Sequence, residues 1–140
     1  MYQSIIVAVD DSGPSGRAAV AAAELAGLSG GRVVVFHARE HQDVIGKSGG
    51  TFDVESPDEA TATVDRAVAA VRALGVPVTS TIVHVPLGHV AARIVEAAGA
   101  EGCDTIVLGS HGRTGIAAAF LGSTADKVLH LADRPVLVIR

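Results

Sequence analysis

A glycine-rich segment, Gly109–Gly115, directly follows a short apolar run, and a second small-residue group, Gly122–Thr124, precedes a helix-like stretch. Glycine lets the backbone take positive φ and approach a ligand closely. Unpaired N–H groups at the start of a helix, together with the helix dipole, favour an anion. Ser123 and Thr124 add hydroxyl donors. This pattern predicts a loop that cradles phosphates without a lysine.

The same residues also fit an ordinary helix start. Ser123 stands three residues before Asp126, as in a capping box, although Glu or Gln is the usual partner there. The glycines would then serve only to turn the chain. From the residues alone, both interpretations stay open.

Short apolar runs alternate with longer amphipathic ones, which predicts the order β-α-β-α-β-α-β-α-β. The predicted strands cover 5–9, 33–37, 78–85, 105–108 and 135–139, and the predicted helices cover about 14–28, 57–74, 87–100 and 123–131. Strands separated by helices form parallel sheets through right-handed crossovers. We therefore expect one doubly wound α/β domain over residues 1–140, with a five-stranded parallel sheet of order 3-2-1-4-5 and helices on both faces. Ligands bind such sheets at the switch point, where the first and fourth predicted strands are neighbours.

The polar stretch 39–57 is predicted to be a long surface loop, of the kind that is usually functional or mobile. Two histidine pairs, His37 with His41 and His84 with His89, could suggest metal ligands. The first pair is expected to leave a strand and enter the loop. Neither spacing puts two ligands on one helical face, so we predict no metal site from them.

The composition limits the classes of partner. The net charge is −4, and the chain has one Tyr, three Phe and no Trp, which disfavours nucleic-acid binding. The N-terminus lacks a basic signal-peptide region, and no apolar run approaches the roughly 20 residues of a membrane span. Cys103 is the only cysteine, which suits a reducing compartment. We expect a cytoplasmic protein with no membrane or nucleic-acid partner.

Other nucleotide and hydrolase motifs fail. No G-x4-G-K-[ST] string occurs, and the turn after the first strand lacks G-x-G-x-x-G. The residue two before Ser110 is Leu108, which breaks the G-x-S-x-G pattern of a hydrolase elbow.

The string Gly109-x2-Gly112-x9-Gly122-Ser123 matches, at every position, the G-x2-G-x9-G-[ST] nucleotide loop of the ATP-binding universal stress proteins. The likeness extends to residues 5–12, 106–113 and 135–139. The chain thus resembles the universal stress protein family. The resemblance implies an adenine nucleotide alpha hydrolase-like fold, with ATP as the ligand and with Mg²⁺ or Mn²⁺ able to bridge its phosphates.

The resemblance also assigns roles to individual residues. Asp10 would contact the nucleoside end of the ligand, unless it is a solvated turn or cap residue. Ala38 would face the adenine through its backbone. The phosphates and ribose would be held by the loop residues Gly109, Ser110, His111, Gly112, Gly122, Ser123 and Thr124. The His111 side chain points either into this site or to solvent, and Arg113 either reaches a phosphate or is exposed.

The implied function is that of an adenine-nucleotide sensor or switch in stress response, with little or slow ATP hydrolysis, because no general base is evident. The resemblance also implies a homodimer through the apolar last strand, which would otherwise be an exposed sheet edge. Three alternatives stay open: a protein-interaction module that has lost the nucleotide, a binder of AMP or a cyclic nucleotide, and a weak hydrolase or nucleotidyl-transfer enzyme.

Overall fold

The computed structural model describes residues 1–47, 49–112 and 120–140. In chain order the elements are β1 (Ser4–Ala8), α1 (Gly13–Ser29), β2 (Arg32–Val44), β3 (Gly50–Asp53), α2 (Pro57–Ala73), β4 (Val78–Pro86), α3 (Val90–Ala100), β5 (Thr105–Gly109), α4 (Ser123–Leu131) and β6 (Val136–Ile139). The predicted α/β architecture with helices on both faces of a sheet is confirmed.

Strand β1 lies at the centre of the sheet. It pairs in parallel with β2 on one side and with β5 on the other. Ile5, Ile6 and Val7 are fully buried, because helices cover both sheet faces: α1 and α2 pack on one face, and α3 and α4 on the other. Burial on both faces explains why the strand is a continuous β-branched run and does not alternate with polar residues.

The five parallel strands lie in the order β4-β2-β1-β5-β6, which is the order expected from the sequence. Strand β2, however, runs on to Val44 and turns back as β3, which pairs with it antiparallel. The sheet of the described residues is therefore six-stranded and mixed. The expectation of a five-stranded, all-parallel sheet is wrong because β3 adds a sixth, antiparallel strand. The expectation of a surface loop over 39–57 is wrong because much of this stretch forms β2 and β3.

Strand β3 lies beyond the carboxyl end of β1. His41 of β2 pairs with Pro86 of β4 on one side and with Asp53 of β3 on the other. Strand β1 pairs with β2 on the side opposite β4, and so does β3. Strand β3 therefore follows β1 along the same edge of β2. The hairpin formed by β2 and β3 therefore stands beside the crevice where β1 and β5 end.

Local signals fix the helix starts around this crevice. Ser12 is the N-cap of α1 and accepts a hydrogen bond from the Ser15 amide, and Pro14 stands in the first turn. Helix α3 begins at Val90, later than the sequence predicts, because Gly88 takes a φ of 85° in the turn after β4.

Candidate functional site

A cavity of about 810 Å³ opens at the carboxyl ends of β1 and β5. This is the position at which doubly wound sheets bind ligands. The cavity is lined by eight of the nine residues proposed from the sequence: Asp10, Ala38, Gly109, His111, Gly112, Gly122, Ser123 and Thr124. The fold therefore brings together residues from β2, from the turn after β1 and from both ends of the glycine loop. Arg113 lies outside the described residues.

Ser110, the ninth residue, does not line the cavity and is buried. Its carbonyl accepts a hydrogen bond from the Gly122 amide at 2.6 Å, and its amide donates to the Ile139 carbonyl at 2.6 Å. Ser110 thus joins the two ends of the glycine loop and ties them to β6.

The three motif glycines are needed for close packing of protein against protein. A Cβ at Gly109 would lie 2.9 Å from the Pro14 Cβ, and one at Gly122 would lie 3.0 Å from the Ser110 carbonyl oxygen. None of these three glycines has positive φ. Their missing side chains instead let the loop lie against α1 and against itself.

Helix α4 begins at the cavity wall with Gly122 as its N-cap, at φ −64° and ψ 154°. Within the described part of the chain no side chain caps it, so the alternative of a Ser123–Asp126 capping box is wrong. The Asp126 amide donates to the Gly122 carbonyl at 2.9 Å as the first helical hydrogen bond. The amides before it lack intrahelical acceptors and carry the positive end of the helix dipole.

Asp10 lines the cavity and also orders the turn after β1. Its Oδ1 accepts a hydrogen bond from the Ser12 amide at 2.8 Å, and its own amide donates to the Ser15 hydroxyl at 2.7 Å. The N-cap of α1 is Ser12, whose hydroxyl donates to the His111 carbonyl at 3.4 Å. The Asp10 carboxylate therefore has a turn role at Oδ1 and still faces the cavity.

Ala38 stands on the other side of the cavity, on the face of β2 that packs toward α3 and α4. Glu40 lies two residues further along the same face, and its carboxylate accepts a hydrogen bond from the Gly88 amide at 3.1 Å. Val54 follows β3 and lines the cavity beside them, with its amide donating to the Glu40 carbonyl at 2.9 Å. The hairpin thus supplies one wall of the cavity.

Comparison with known proteins gives the family. A model described as the universal stress protein family matches residues 1–140. This chain belongs to the universal stress protein family. It is 34% identical over its whole length, and over the whole of the relative, to a universal stress protein of Thermus aquaticus. It is 33% identical to universal stress protein A homolog 1 of Coxiella burnetii, with 99% of this chain and 96% of the relative covered.

A solved structure of similar fold is the universal stress protein from Archaeoglobus fulgidus in complex with dAMP. It has a TM-score of 0.72 and 28% sequence identity, and the alignment covers 99% of this chain and 98% of the Archaeoglobus chain. The likeness in fold therefore extends over nearly the whole length of both chains.

This universal stress protein also has a buried His–Glu pair at the cavity that the sequence reasoning missed. His37 Nδ1 lies 2.7 Å from the Val9 carbonyl oxygen, and so donates to it, while Nε2 shares a hydrogen bond with the Glu55 carboxylate. Both side chains are buried and both line the cavity. His37 thus connects the end of β1 to the segment after β3.

A second polar cluster lies on the sheet extension, which is the part of the sheet formed by the β2–β3 hairpin and the end of β4. Asp53 accepts hydrogen bonds from His84 Nε2 at 2.7 Å and from Arg39 Nη2 at 3.1 Å. The pKa of Asp53 is lowered, chiefly by the hydrogen bond from His84 and further by the charges of His84, Arg39 and His41, against a smaller opposing effect of burial. His37 and His41 both lie in β2, so the expectation that this pair enters a loop is wrong.

Lys127 lines the cavity from the second turn of α4, one turn beyond Ser123. Residues four apart share a helix face, so this lysine could have been found from its spacing to the loop serine. Within residues 1–47, 49–112 and 120–140, no group of three His, Cys, Asp or Glu side chains is placed to hold a metal ion. In the same ranges, no helix is both long and apolar enough to cross a bilayer.

Proposed function

We propose that this universal stress protein binds an adenine nucleotide, with ATP as the expected ligand, in the cavity at the ends of β1 and β5, and acts as a sensor or switch. One observation carries the proposal: among the described residues, helix α4 starts at the cavity with a glycine N-cap and no side-chain cap, and the Asp10 carboxylate from the turn after β1 lines the same cavity. Helix-start amides suit phosphate and a carboxylate suits sugar hydroxyls, so the cavity offers partners for both parts of a nucleotide.

The proposed roles follow from position. The amides and hydroxyls of Ser123 and Thr124 would hold phosphate, with Lys127 adding a positive charge at the same end. Gly109, Gly112, Gly122, Ser110 and His111 would shape the loop around it. Asp10 and the Ala38 backbone would take the nucleoside, beside the apolar wall that Val54 provides.

A divalent cation such as Mg²⁺ or Mn²⁺ would neutralise and bridge the phosphates, with water as most of its remaining ligands. Asp10 Oδ2 lies close to the loop, 2.8 Å from where a Cβ at Gly112 would stand, while its Oδ1 accepts the Ser12 amide. We assign this carboxylate to the sugar hydroxyls and not to the activation of water. We therefore expect little or slow ATP turnover.

A nucleoside monophosphate is the second candidate ligand, favoured by the dAMP complex of the Archaeoglobus relative. Native mass spectrometry of molecules that copurify with the protein, followed by calorimetry with ATP, AMP and cyclic AMP, separates these cases. Binding of ATP with the highest affinity supports the proposal. If none of the three nucleotides binds, a protein-interaction module is the better description. If the pure protein rapidly releases labelled phosphate from ATP, a hydrolase is favoured.

We also propose that two copies associate through β6. In the described residues β6 pairs with β5 on one side only, so its other edge is open. Leu137 of β6 and the α4 residues Leu129 and Leu131 are exposed. An open apolar edge strand is normally covered or paired.

A further inference from the structure

Polar side chains of the sheet extension form a single stripe on the face that packs toward α1 and α2. Alternate residues of β2 share a face, and Val33 and Val35 place this one against α1 and α2. We define the clasp as the ionisable residues of this stripe: His37, Arg39 and His41 of β2, Asp53 and Glu55 of the β3 segment, and His84 of β4.

Asp53 is the centre of the outer part of the clasp. Arg39 and His84 both donate to its carboxylate, from the two strands that flank this position. The His41 ring lies 4.5 Å from the His84 ring, measured between centroids. Among the residues that the structure describes, the titratable and charged groups that act on Asp53 are Arg39, His41 and His84.

The clasp is connected to the cavity through the backbone. Arg39 Nη2 donates to the Glu55 carbonyl at 3.2 Å as well as to Asp53. The intervening residue, Val54, lines the cavity, as does Glu55. Releasing the Asp53 side chain would loosen the segment that carries this wall, which the main-chain pairing of β3 and the contact between Glu55 and His37 would still hold in the sheet.

We propose that Asp53 is a positioning residue of the nucleotide site: held by Arg39 and His84, it fixes Val54 and Glu55 as the wall at the nucleoside end and makes ligand affinity depend on imidazole protonation. The inference rests on the proposed function. No contact between Asp53 and the ligand is needed, because the effect passes through the wall.

The sign of the pH effect follows from the charges. A hydrogen bond between a carboxylate and an imidazolium is stronger than one to a neutral imidazole. A proton gained by the imidazole that bonds Asp53 therefore tightens the clasp, and the ligand should bind more tightly on the acidic side. Since His84 and Asp53 are both partly exposed, we expect a change in affinity of about three- to fivefold.

The test compares Asp53→Asn with Asp43→Asn, a matched change in the same hairpin, where Asp43 accepts only from Thr51 among the described contacts. Calorimetry with ATP is carried out at pH 8.0 and pH 6.0. For each protein, the dissociation constant at pH 8.0 is divided by the dissociation constant at pH 6.0. Comparing this ratio between proteins cancels any pH dependence that they share, including that of ATP itself. We expect the ratio to fall about three- to fivefold in Asp53→Asn and in His84→Gln, and to stay at the wild-type value in Asp43→Asn.

Hydrogen exchange of the ligand-free protein gives an independent readout. The Val54 amide, bonded to the Glu40 carbonyl, should exchange faster in Asp53→Asn than in wild type or Asp43→Asn. If the wild-type protein binds no nucleotide, the proposed function is wrong. The exchange rate of the Val54 amide would still show whether Asp53 fixes this segment. Equal exchange in the two variants, or an unchanged pH ratio in Asp53→Asn with binding intact, would overturn the inference.

Discussion

Gly112 lies so close to Asp10 that a Cβ added to it would stand 2.8 Å from the Asp10 Oδ2. The atom it would meet is the end of a flexible side chain, so Gly112→Ala should leave the fold intact and turn the Asp10 carboxylate away from the cavity. We expect ATP affinity to fall about tenfold, equivalent to about 1.4 kcal/mol, with a melting temperature within a few degrees of wild type. Calorimetry and thermal denaturation measure the two effects.

Gly46→Ala is the control for this substitution. A Cβ at Gly46 meets nothing within 4 Å and Gly46 lies outside the cavity lining. If Gly112→Ala bound ATP as tightly as Gly46→Ala, the closeness of the loop to Asp10 would have no bearing on the ligand.

Ser123 offers a way to remove one main-chain donor without unfolding the helix. It is the first residue of α4, where proline is tolerated, and Gly122 before it already has the extended conformation that proline requires. Ser123→Pro deletes the amide hydrogen and the hydroxyl, whereas Ser123→Ala deletes the hydroxyl alone. We expect the proline variant to bind ATP more weakly than the alanine variant by about 1.5–3 kcal/mol, the contribution of a hydrogen bond to a charged group.

Equal dissociation constants for the two Ser123 variants would mean that this amide does not hold phosphate. Circular dichroism and thermal melting establish that α4 is retained in both. AMP serves as a second ligand, because a monophosphate and a triphosphate need not seat the same phosphate at this amide.

The sheet and the loop could be predicted from the sequence because their signals are strong and local. Runs such as Ile5–Val9 are buried on both faces and have no polar interruption, and glycines mark the ends of helices. The crevice then follows from topology, because the ends of β1 and β5 must meet there.

The hairpin could not be predicted in the same way. All residues of β3 are exposed, so the strand carries no hydrophobic alternation and is indistinguishable from a polar loop. The contact between His37 and Glu55 spans 18 residues and depends on that hairpin. The one available signal was the alternation of His37, Arg39 and His41, which fits one face of a strand.

Asp104 gives a prediction for acid stability. Burial raises its pKa, but hydrogen bonds from the Gln3 amide and the Thr105 hydroxyl outweigh this, so the pKa is lowered overall. A lowered folded-state pKa contributes stability that is complete above the unfolded value of about 3.9 and is lost as pH falls below it. Asp104→Asn should therefore flatten the pH dependence of the urea midpoint between about pH 2.5 and 4.5.

Asp65→Asn, at an exposed position of α2, is the matched control for Asp104→Asn. It should keep the acid dependence of wild type. A midpoint that fell with acid as steeply in Asp104→Asn as in Asp65→Asn would show that the hydrogen bonds from the Gln3 amide and the Thr105 hydroxyl do not depend on the charge of Asp104.

The open edge of β6 predicts the oligomeric state. Light scattering should give a mass about twice the 14.1 kDa of the chain.

Leu137 is 38% exposed on β6, so Leu137→Lys would place a charge in the proposed interface and should give a monomer at micromolar concentration. Leu28→Lys puts the same charge on α1, outside β6, where the side chain is 88% exposed, and should stay dimeric. If Leu137→Lys kept the wild-type mass, the copies would associate through another surface. A monomeric wild type would instead mean that charge or solvation alone protects this edge.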